Sequence, residues 1–422
     1  MTRTWTSRII GWIVGVPTAA VLVLDGYLAV LTLAAAWSKR QRGVDRPAEP
    51  RHRFAVLVPA HDEQANIAAT IESIRAQDHP AELVGIHVVA DNCTDRTASI
   101  AARLGADVHE RADLASAGKG PALEWLVGRL SSRGDRFDAA VIIDADTSMA
   151  GGFLREMDRA LAHDGATSVW QGHYAVRDAD RSSSTALRAA ALALRHYVRP
   201  LGRTALGGSC GLFGNGMVLR SDVVMRRRFS AHLTEDVELQ LELLLDDELV
   251  GFVPAAVVAA EMPESFEAAR TQNERWELGR LQLARTFVPR LLRRAAGPRP
   301  TNRVALVDAA LDQLVPPLSV LAAASGAVLG SAIGVRALGR ANGRPIAVTA
   351  ASAAVVALMA HVVGGLRLAG VPRTVYVSLL HAPRLVVWKI ALWMRVLRRP
   401  DDVGWVRTAR NEAADGAIGV AR

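Results

Sequence analysis

The residues of this chain able to do chemistry stand at the ends of apolar runs in its middle third. They are Asp91 in VVADNCTD, Asp144 and Asp146 in VIIDAD, Thr234-Glu235-Asp236, and Gln272-x-x-Arg275-Trp276. Carboxylates just past short buried strands converge on one rim of a parallel sheet, where open α/β folds put their ligands. Two or more anions there can hold a divalent cation, another can act as a base, and a nearby cation can meet phosphate. Asp144 and Asp146 are two residues apart at a strand end and are expected to face the same way. Carboxylates beside a dry strand are costly without a partner, so a divalent metal bridging a diphosphate is the expected occupant.

The other motifs each carry two readings. In VPAHDE, residues 59–63 follow a strand, and a carboxylate there can accept hydrogen bonds from a base or ribose. Acids are equally ordinary at a helix N-terminus. Lys119, in a Gly-Lys-Gly loop opening a helix, can meet phosphate oxygens. Thr234 can cap a helix whose first turn carries Glu235 and Asp236. Gln272 and Trp276 are one helical turn apart, and a guanidinium beside an indole can hold a pyrophosphate while the ring stacks on a sugar. Taken singly, the structural reading wins for most of them.

Apolar runs and turn signals predict the elements that position these residues. FAVLVP is the first strand, a helix follows over residues 64–77, and VGIHVVADN is the second strand. Thr94 or Asp95 can cap the helix DRTASIAARLG, with Gly105 as its stop and a short strand over residues 106–109 after it. The GKG loop and Pro121 open a helix reaching Leu130, and AAVIID is continuously apolar, as expected for a strand buried on both faces. This alternation predicts an α/β doubly wound sheet. Further on come a strand TSVWQGHYAV, a long helix SSTALRAAALALRHYV, a helix over residues 235–245 and a strand GFVPAAVVA. Five glycines within residues 207–216 imply a close backbone approach to something bound. Residues 264–294 read as a basic amphipathic helix broken at Pro289 and suited to a membrane surface.

The bulk properties point to a membrane. The chain has 422 residues, half of them apolar, with a mean hydropathy of +0.16. Residues 9–37 carry only Asp25 as a charge, more than the roughly 20 residues a span needs. That length exceeds the apolar core of a cleaved signal peptide, so an uncleaved anchor is expected. Residues 314–335, with Pro316 and Pro317 near their start, and residues 346–366 can also span. Residues 375–396 contain His381, Pro383, Arg384 and Lys389, and suit a span or an interfacial helix equally. The net charge of +8 and pI of about 10.2 would suit a polyanion. The excess, however, flanks apolar segments at Lys39, Arg40, Arg42 and Arg46, and at Arg395, Arg398 and Arg399. No basic stripe with interleaved aromatics is present, so nucleic acid is not an expected partner. The positive-inside rule places the central region in the cytoplasm. The loop carrying Arg336, Arg340 and Arg344 would then lie outside, against that rule, unless the hairpin is tilted or re-entrant. Cys93 and Cys210 fit a reducing compartment and form neither a disulfide framework nor a zinc site.

Together and in this order, PAHDE, Asp91, GKG, DAD, the glycine-rich turn, TED and QxxRW resemble a membrane-integrated family-2 glycosyltransferase with a GT-A fold. Cellulose, chitin, hyaluronan and poly-N-acetylglucosamine synthases share that arrangement, and the resemblance covers residues 54–292. It implies a Rossmann-like GT-A domain flanked by transmembrane helices. The expected division is an anchor and linker (1–46), a cytoplasmic catalytic domain (47–263), interfacial helices with QxxRW (264–300), membrane or interfacial helices (301–400) and a tail (401–422). Pro59, Asp62, Glu63 and Asp91 would line the uracil and ribose site of a nucleotide-sugar donor, with Lys119 and Asp144 near the nucleotide. Asp146 would ligate Mg²⁺ or Mn²⁺ on the diphosphate, and Asp236 would be the general base. Gln272, Arg275 and Trp276 would frame the diphosphate, and Trp276 would join Glu235, Gly214, Asn215 and Gly216 around the acceptor.

The implied reaction is an inverting transfer from a UDP-sugar to a glycan or lipid-linked acceptor, making a β-glycoside of a cell-surface polysaccharide at the cytoplasmic membrane, with membrane lipids as further partners. A polyprenyl-phosphate or glycolipid transferase adding one sugar is the alternative enzyme, against which TED and QxxRW argue. A scaffold with a degenerate transferase domain is the alternative of another class, and intact DAD, TED and QxxRW oppose it. Three departures stand out. The second strand ends in ADN where many relatives have adjacent aspartates, GGSCGLFGNGM matches the acceptor turn loosely, and three or four spans give little wall for a polymer channel.

Overall fold

A computed structural model describes residues 2–41, 49–163, 165, 167–230, 232–298, 300, 302–338 and 346–398, with backbone only for residues 2–11 and 397. Arg42, Arg46, Arg340, Arg344, Arg399 and the tail 401–422 lie outside the described residues.

Helix α1 (Thr2–Gln41) precedes an alternation of strands and helices: β1 (Phe54–Ala60), α2 (Ile67–Arg75), β2 (Val84–Asp91), α3 (Thr97–Arg103), β3 (Asp107–Arg111), α4 (Lys119–Arg133) and β4 (Ala139–Ile142). β5 (Thr147–Met149), α5 (Phe153–His163) and β6 (Val169–Val176) follow. α6 (Ser183–Ala193) runs through a π-turn at Leu194–Val198 into α7 (Arg199–Ala205). β7 (Met217–Arg220), α8 (Ser221–Arg226), α9 (Glu235–Leu245) and β8 (Val250–Ala260) complete the sheet region. The rest is helical: α10 (Arg270–Ala296), α11 (Arg303–Leu314), α12 (Leu318–Ala337), α13 (Ile346–Met359), α14 (Gly365–Ala369), α15 (Arg373–Ser378) and α16 (Ala382–Arg398).

The eight strands form one sheet in the order β3-β2-β1-β4-β7-β6-β8-β5. β1 to β4 are mutually parallel, as the alternating pattern predicts. β7 then reverses the direction, lying antiparallel to both β4 and β6, while β5 is antiparallel to β8. The second half is therefore mixed. Its two reversing strands, MVLR and TSM, are too short to carry a periodicity of their own. Alternation along β1 feeds two apolar layers. Phe54, Val56 and Val58 pack with Ile67, Ile71 and Phe153 on one face, and Leu57 packs with Leu123, Leu126 and Leu194 on the other.

The second layer also takes in Ala35 of α1, Leu366 of α14 and Val375 of α15. The sheet and the apolar helices thus share one core rather than meeting across a linker. Among the described residues, four helical segments are long and apolar enough to cross a membrane: Trp12–Gln41, Leu318–Ala337, Ile346–Ala369 and Arg373–Val396. Asp25 of the first is buried and accepts a 2.7 Å hydrogen bond from Ser325 of the second. The last keeps both ends against the sheet region: Val375 joins the core near Ala186 and Ala190, and Arg395 pairs with Glu274 of α10 at 3.0 Å.

α10 differs from the expected helix over residues 264–294. It starts at Arg270 and passes Pro289 without a break. Pro289 and Arg285 sit on the exposed side, where the carbonyl that loses its donor can turn to solvent. The opposite side, with Leu283, Phe287 and Leu291, packs on Ala305 and Ala309 of α11 and Leu241 and Leu244 of α9.

Candidate active site

The C-terminal ends of β1, β2 and β4 open onto a shared cavity of about 1960 Å³, lined by Pro59, Asp62, Glu63, Asp91, Lys119, Asp144 and Asp146 among others. Asp62, Glu63 and Asp91 are already engaged in building the rim. Asp62 holds a left-handed backbone (φ +51°), and its carboxylate accepts from the Thr94 amide at 2.7 Å, tying the loop after β1 to the loop after β2. Glu63 is buried, accepts from Asn66 Nδ2 at 2.9 Å, and its carbonyl receives the first amides of α2. Asp91 is buried against Arg111, which donates to it at 2.5 Å and also to Asp113 and to the Ser116 carbonyl. Sequence reading missed Arg111. It stands 20 residues from Asp91, and only the β2–β3 register places the two directly opposite.

Asp144 and Asp146 lie beyond β4, which ends at Ile142, in the turn leading to β5. That turn, rather than the expected strand alternation, leaves both on the cavity wall. Lys119 stands at the centre of the site, donating to Asp144 Oδ1 and to the Gly214 carbonyl, each at 2.5 Å. Gly214 has φ +73°, a conformation open to glycine at no steric cost, and a Cβ there would lie 3.4 Å from both Asp236 Oδ2 and Lys119 Nζ. DAD, the glycine-rich turn and TED therefore meet at one ammonium group.

Two of the residues expected around the acceptor are placed elsewhere. Asn215 is fully buried, donating to Thr147 Oγ1 at 2.7 Å and accepting from the Asp144 amide at 3.3 Å, so it braces the turn that carries DAD. Gly216 lies against Val258, where a Cβ would come within 2.8 Å of Cγ2. Neither lines the cavity, whereas Gly214, Glu235 and Trp276 do.

Burial dominates the electrostatics. It pushes Glu235 up to about 7, with the neighbouring Asp236 adding to the shift, and it raises Asp236 as well. Burial also works against the charge on Lys119, but Asp144 and Glu235 outweigh it and hold the ammonium above the ordinary lysine range. Arg275 is drawn down by burial, with Glu235 opposing.

α10 brings QxxRW to this cluster. A Cβ on its Gly279 would fall 2.7 Å from Thr234 Oγ1, so the helix backbone rests directly on TED. Gln272, Arg275 and Trp276 all line the cavity, and Gln272 Oε1 and Arg275 Nε are buried without a hydrogen-bond partner. Orphaned polar atoms of this kind mark where a ligand supplies the missing bonds.

The same cavity is lined by Arg188, Arg195 and Arg280 and by an apolar wall that includes Leu28, Leu318, Leu358, Val362, Leu385 and Val386. The wall comes from α1, α12, α13, α16 and the π-turn after α13.

Comparison with known proteins agrees with this arrangement. The family model described as "Glycosyltransferase like family 2" matches residues 50–279. The "Probable glycosyltransferase YdaM" of Bacillus subtilis is 23% identical over 246 residues, covering 56% of this chain and 57% of that protein. The "Beta-monoglucosyldiacylglycerol synthase" of Nostoc sp. is 27% identical over 256 residues, covering 58% of this chain and 53% of that protein. The chain thus spans about half the length of the curated relatives it matches. Among solved structures, a mannosyltransferase of Pyrobaculum calidifontis in complex with GDP-Man and Mn²⁺ is similar at 17% identity and a TM-score of 0.49, covering 83% of this chain and 97% of that one. With its family matched across more than half its length, and with a mixed, Rossmann-like GT-A sheet, the chain belongs to the family-2 glycosyltransferases.

Proposed function

We propose that this glycosyltransferase moves a sugar from a nucleotide-diphosphate donor, with UDP as the leaving group, to a hydroxyl of a lipid-embedded acceptor at the cytoplasmic face of a membrane. One observation carries the reading: a single cavity joins the acidic rim to an apolar wall made by membrane-type helices. A purely aqueous acceptor has no use for such a wall. The diacylglycerol-based product named for the Nostoc sp. relative fits the same geometry.

In this reading the nucleoside rests on the rim built by Pro59, Asp62, Glu63 and Asp91. The diphosphate lies among Lys119, Asp144, Asp146, Gln272 and Arg275. Asp144 and Asp146 have no third Asp, Glu, His or Cys ligand within reach among the described residues. Such a pair suits a small divalent cation that takes one or two carboxylates and completes its shell with phosphate oxygens. Mg²⁺ or Mn²⁺ held by Asp146 would neutralise charge on the leaving diphosphate. Asp236 takes the proton of the acceptor hydroxyl as its oxygen attacks the anomeric carbon. The bond from that carbon to the diphosphate breaks, and the nucleoside diphosphate leaves with the electron pair. An α-linked donor thereby gives a β-glycoside. Arg275 stabilises the leaving group, and Trp276 offers a stacking face to a sugar.

For the membrane arrangement, α1, α12 and α13–α14 would span, and α15–α16 would lie along the interface. The test is nucleotide release by membranes containing the protein, screened against nucleotide sugars, with the labelled product partitioned into organic solvent and sized. A single sugar on an extractable lipid is expected. Label confined to a long water-soluble polymer would instead favour the polysaccharide reading that the QxxRW resemblance suggests.

A further inference from the structure

Besides the acidic rim and the apolar wall, the cavity is lined by a second set of charged side chains that donor chemistry leaves unused. Arg188 of α6, Arg195 of the π-turn and Arg280 of α10 all line it. Arg188 is 9% exposed, and its Nε has no hydrogen-bond partner. Among the described residues no carboxylate stands within ion-pair distance of any of the three, although Glu277 and Asp312 act on Arg195 and Arg280 at longer range, as Asp236 does on Arg195. Asp312 pairs with Arg199 and Arg203, and Glu277 pairs with Lys389 at 2.9 Å and accepts from the Trp393 indole at 2.9 Å. Burial draws Arg188 and Arg280 down to about 10, still charged at neutral pH.

On α10, Gly279 rests on Thr234, Asn273 and Glu277 hold Lys389 of α16, and Arg280 follows Trp276 and Glu277 by one turn into the same cavity. Arg195 owes its place to the π-turn, a local register shift that recurs at functional sites. Three desolvated guanidinium groups with no ion-pair partner are costly to maintain, even with Glu277 and Asp312 acting on Arg195 and Arg280 from farther off. An anion between α6, α10 and α16 removes that cost, and a phosphate matches the planar donor fork of arginine. Basic pockets among membrane helices are also where lipid head groups bind.

We propose that Arg188, Arg195 and Arg280 seat the phosphate of a phosphate-bearing lipid acceptor, holding its head group so that a neighbouring hydroxyl reaches Asp236. This rests on the lipid-acceptor reading and separates the chain from relatives whose named product is built on neutral diacylglycerol. The transfer is unchanged: the hydroxyl loses its proton to Asp236, and the phosphate stays intact.

The test uses the full chain in detergent and compares binding of phosphatidic acid with diacylglycerol of the same acyl chains. Phosphatidic acid should bind at least about tenfold more tightly. Arg188→Gln and Arg280→Gln should each weaken it about tenfold while binding of UDP is kept, and Arg188→Lys should recover part of the loss. Equal affinity for the two lipids in the unaltered protein would overturn the proposal, whatever the variants do. So would displacement of phosphatidic acid by UDP, which would assign the arginines to the donor diphosphate. Inorganic phosphate competing as well as the lipid would replace a lipid seat by a soluble-anion site. If phosphatidic acid binds as described but no lipid is ever glycosylated, the proposed function falls while the seat stands.

Discussion

At the start of α9, Glu235 and Asp236 are adjacent buried carboxylates, and two like charges so placed ionise as a coupled pair rather than independently. Burial raises both, so the basic form is lost as pH falls through a value above the ordinary carboxylate range. The acid limb of kcat/KM is therefore expected above the ordinary carboxylate range, and a limb near 4 would remove the pair from the rate-limiting protonation. Asp236→Asn should lower kcat by roughly 10³-fold with nucleotide binding retained; normal turnover would end its assignment as base. Asp146→Ala should weaken metal-dependent binding of UDP, and an unchanged metal titration would take it off the ligand set. The rim acids were legible because each follows an apolar strand or opens a helix. Asn215 and Arg111 were not, for opposite reasons. Asn215 sits in a glycine-rich run that suggests ligand contact, but its amide is spent on Thr147 and Asp144. Arg111 looks like one more charge in a basic chain until strand pairing sets it on Asp91.

Elements decide how firmly those residues are held. α10 reaches TED only because Gly279 has no side chain, so Gly279→Ala should push the QxxRW helix outward by a few tenths of an ångström or more. A loss of about 10- to 100-fold in kcat/KM with a modest change in melting temperature is expected, since small misplacements are felt strongly in transfer reactions. An unchanged kcat/KM would show that contact between these helices does not set the geometry. A second junction joins α1, α7 and α11. Tyr27 donates to Asp308 at 2.8 Å, Arg203 donates to the same carboxylate at 2.6 Å, and Arg199 pairs with Asp312. Asp308→Asn leaves the buried Arg203 with a weaker partner and should destabilise the protein by about 3 kcal/mol, read by thermal unfolding in detergent. β1, β2 and β4 could be read because each is an apolar run between turn signals, and β3 because a helix stop at Gly105 precedes it. β5 and β7 could not, being defined by pairing rather than by pattern. Nor could the course of α10 past Pro289, which follows from which face of the helix is exposed.

For the molecule as a whole, the expected boundary between a catalytic domain and its membrane helices does not coincide with a boundary in packing, since Ala35, Leu366 and Val375 belong to the same core as the sheet. Composition alone left residues 375–396 as a span or an interfacial helix, and the proposed arrangement takes the latter from their contacts at both ends. In a background lacking Cys93 and Cys210, Arg398→Cys should be labelled from the side of the catalytic region and Leu338→Cys, at the exposed far end of α12, from the other. Labelling of both from one side would refute the three-span arrangement. The cavity wall also has an order of manufacture. Leu28 leaves the ribosome early, but Leu318, Leu358 and Val386 follow only after the entire sheet region has been made. A chain interrupted after α11 would hold every acid of the rim and lack the part of the apolar wall that α12, α13 and α16 supply. Under the proposed lipid-acceptor reading, competence to transfer is thus acquired last in synthesis, when the final helices complete that wall.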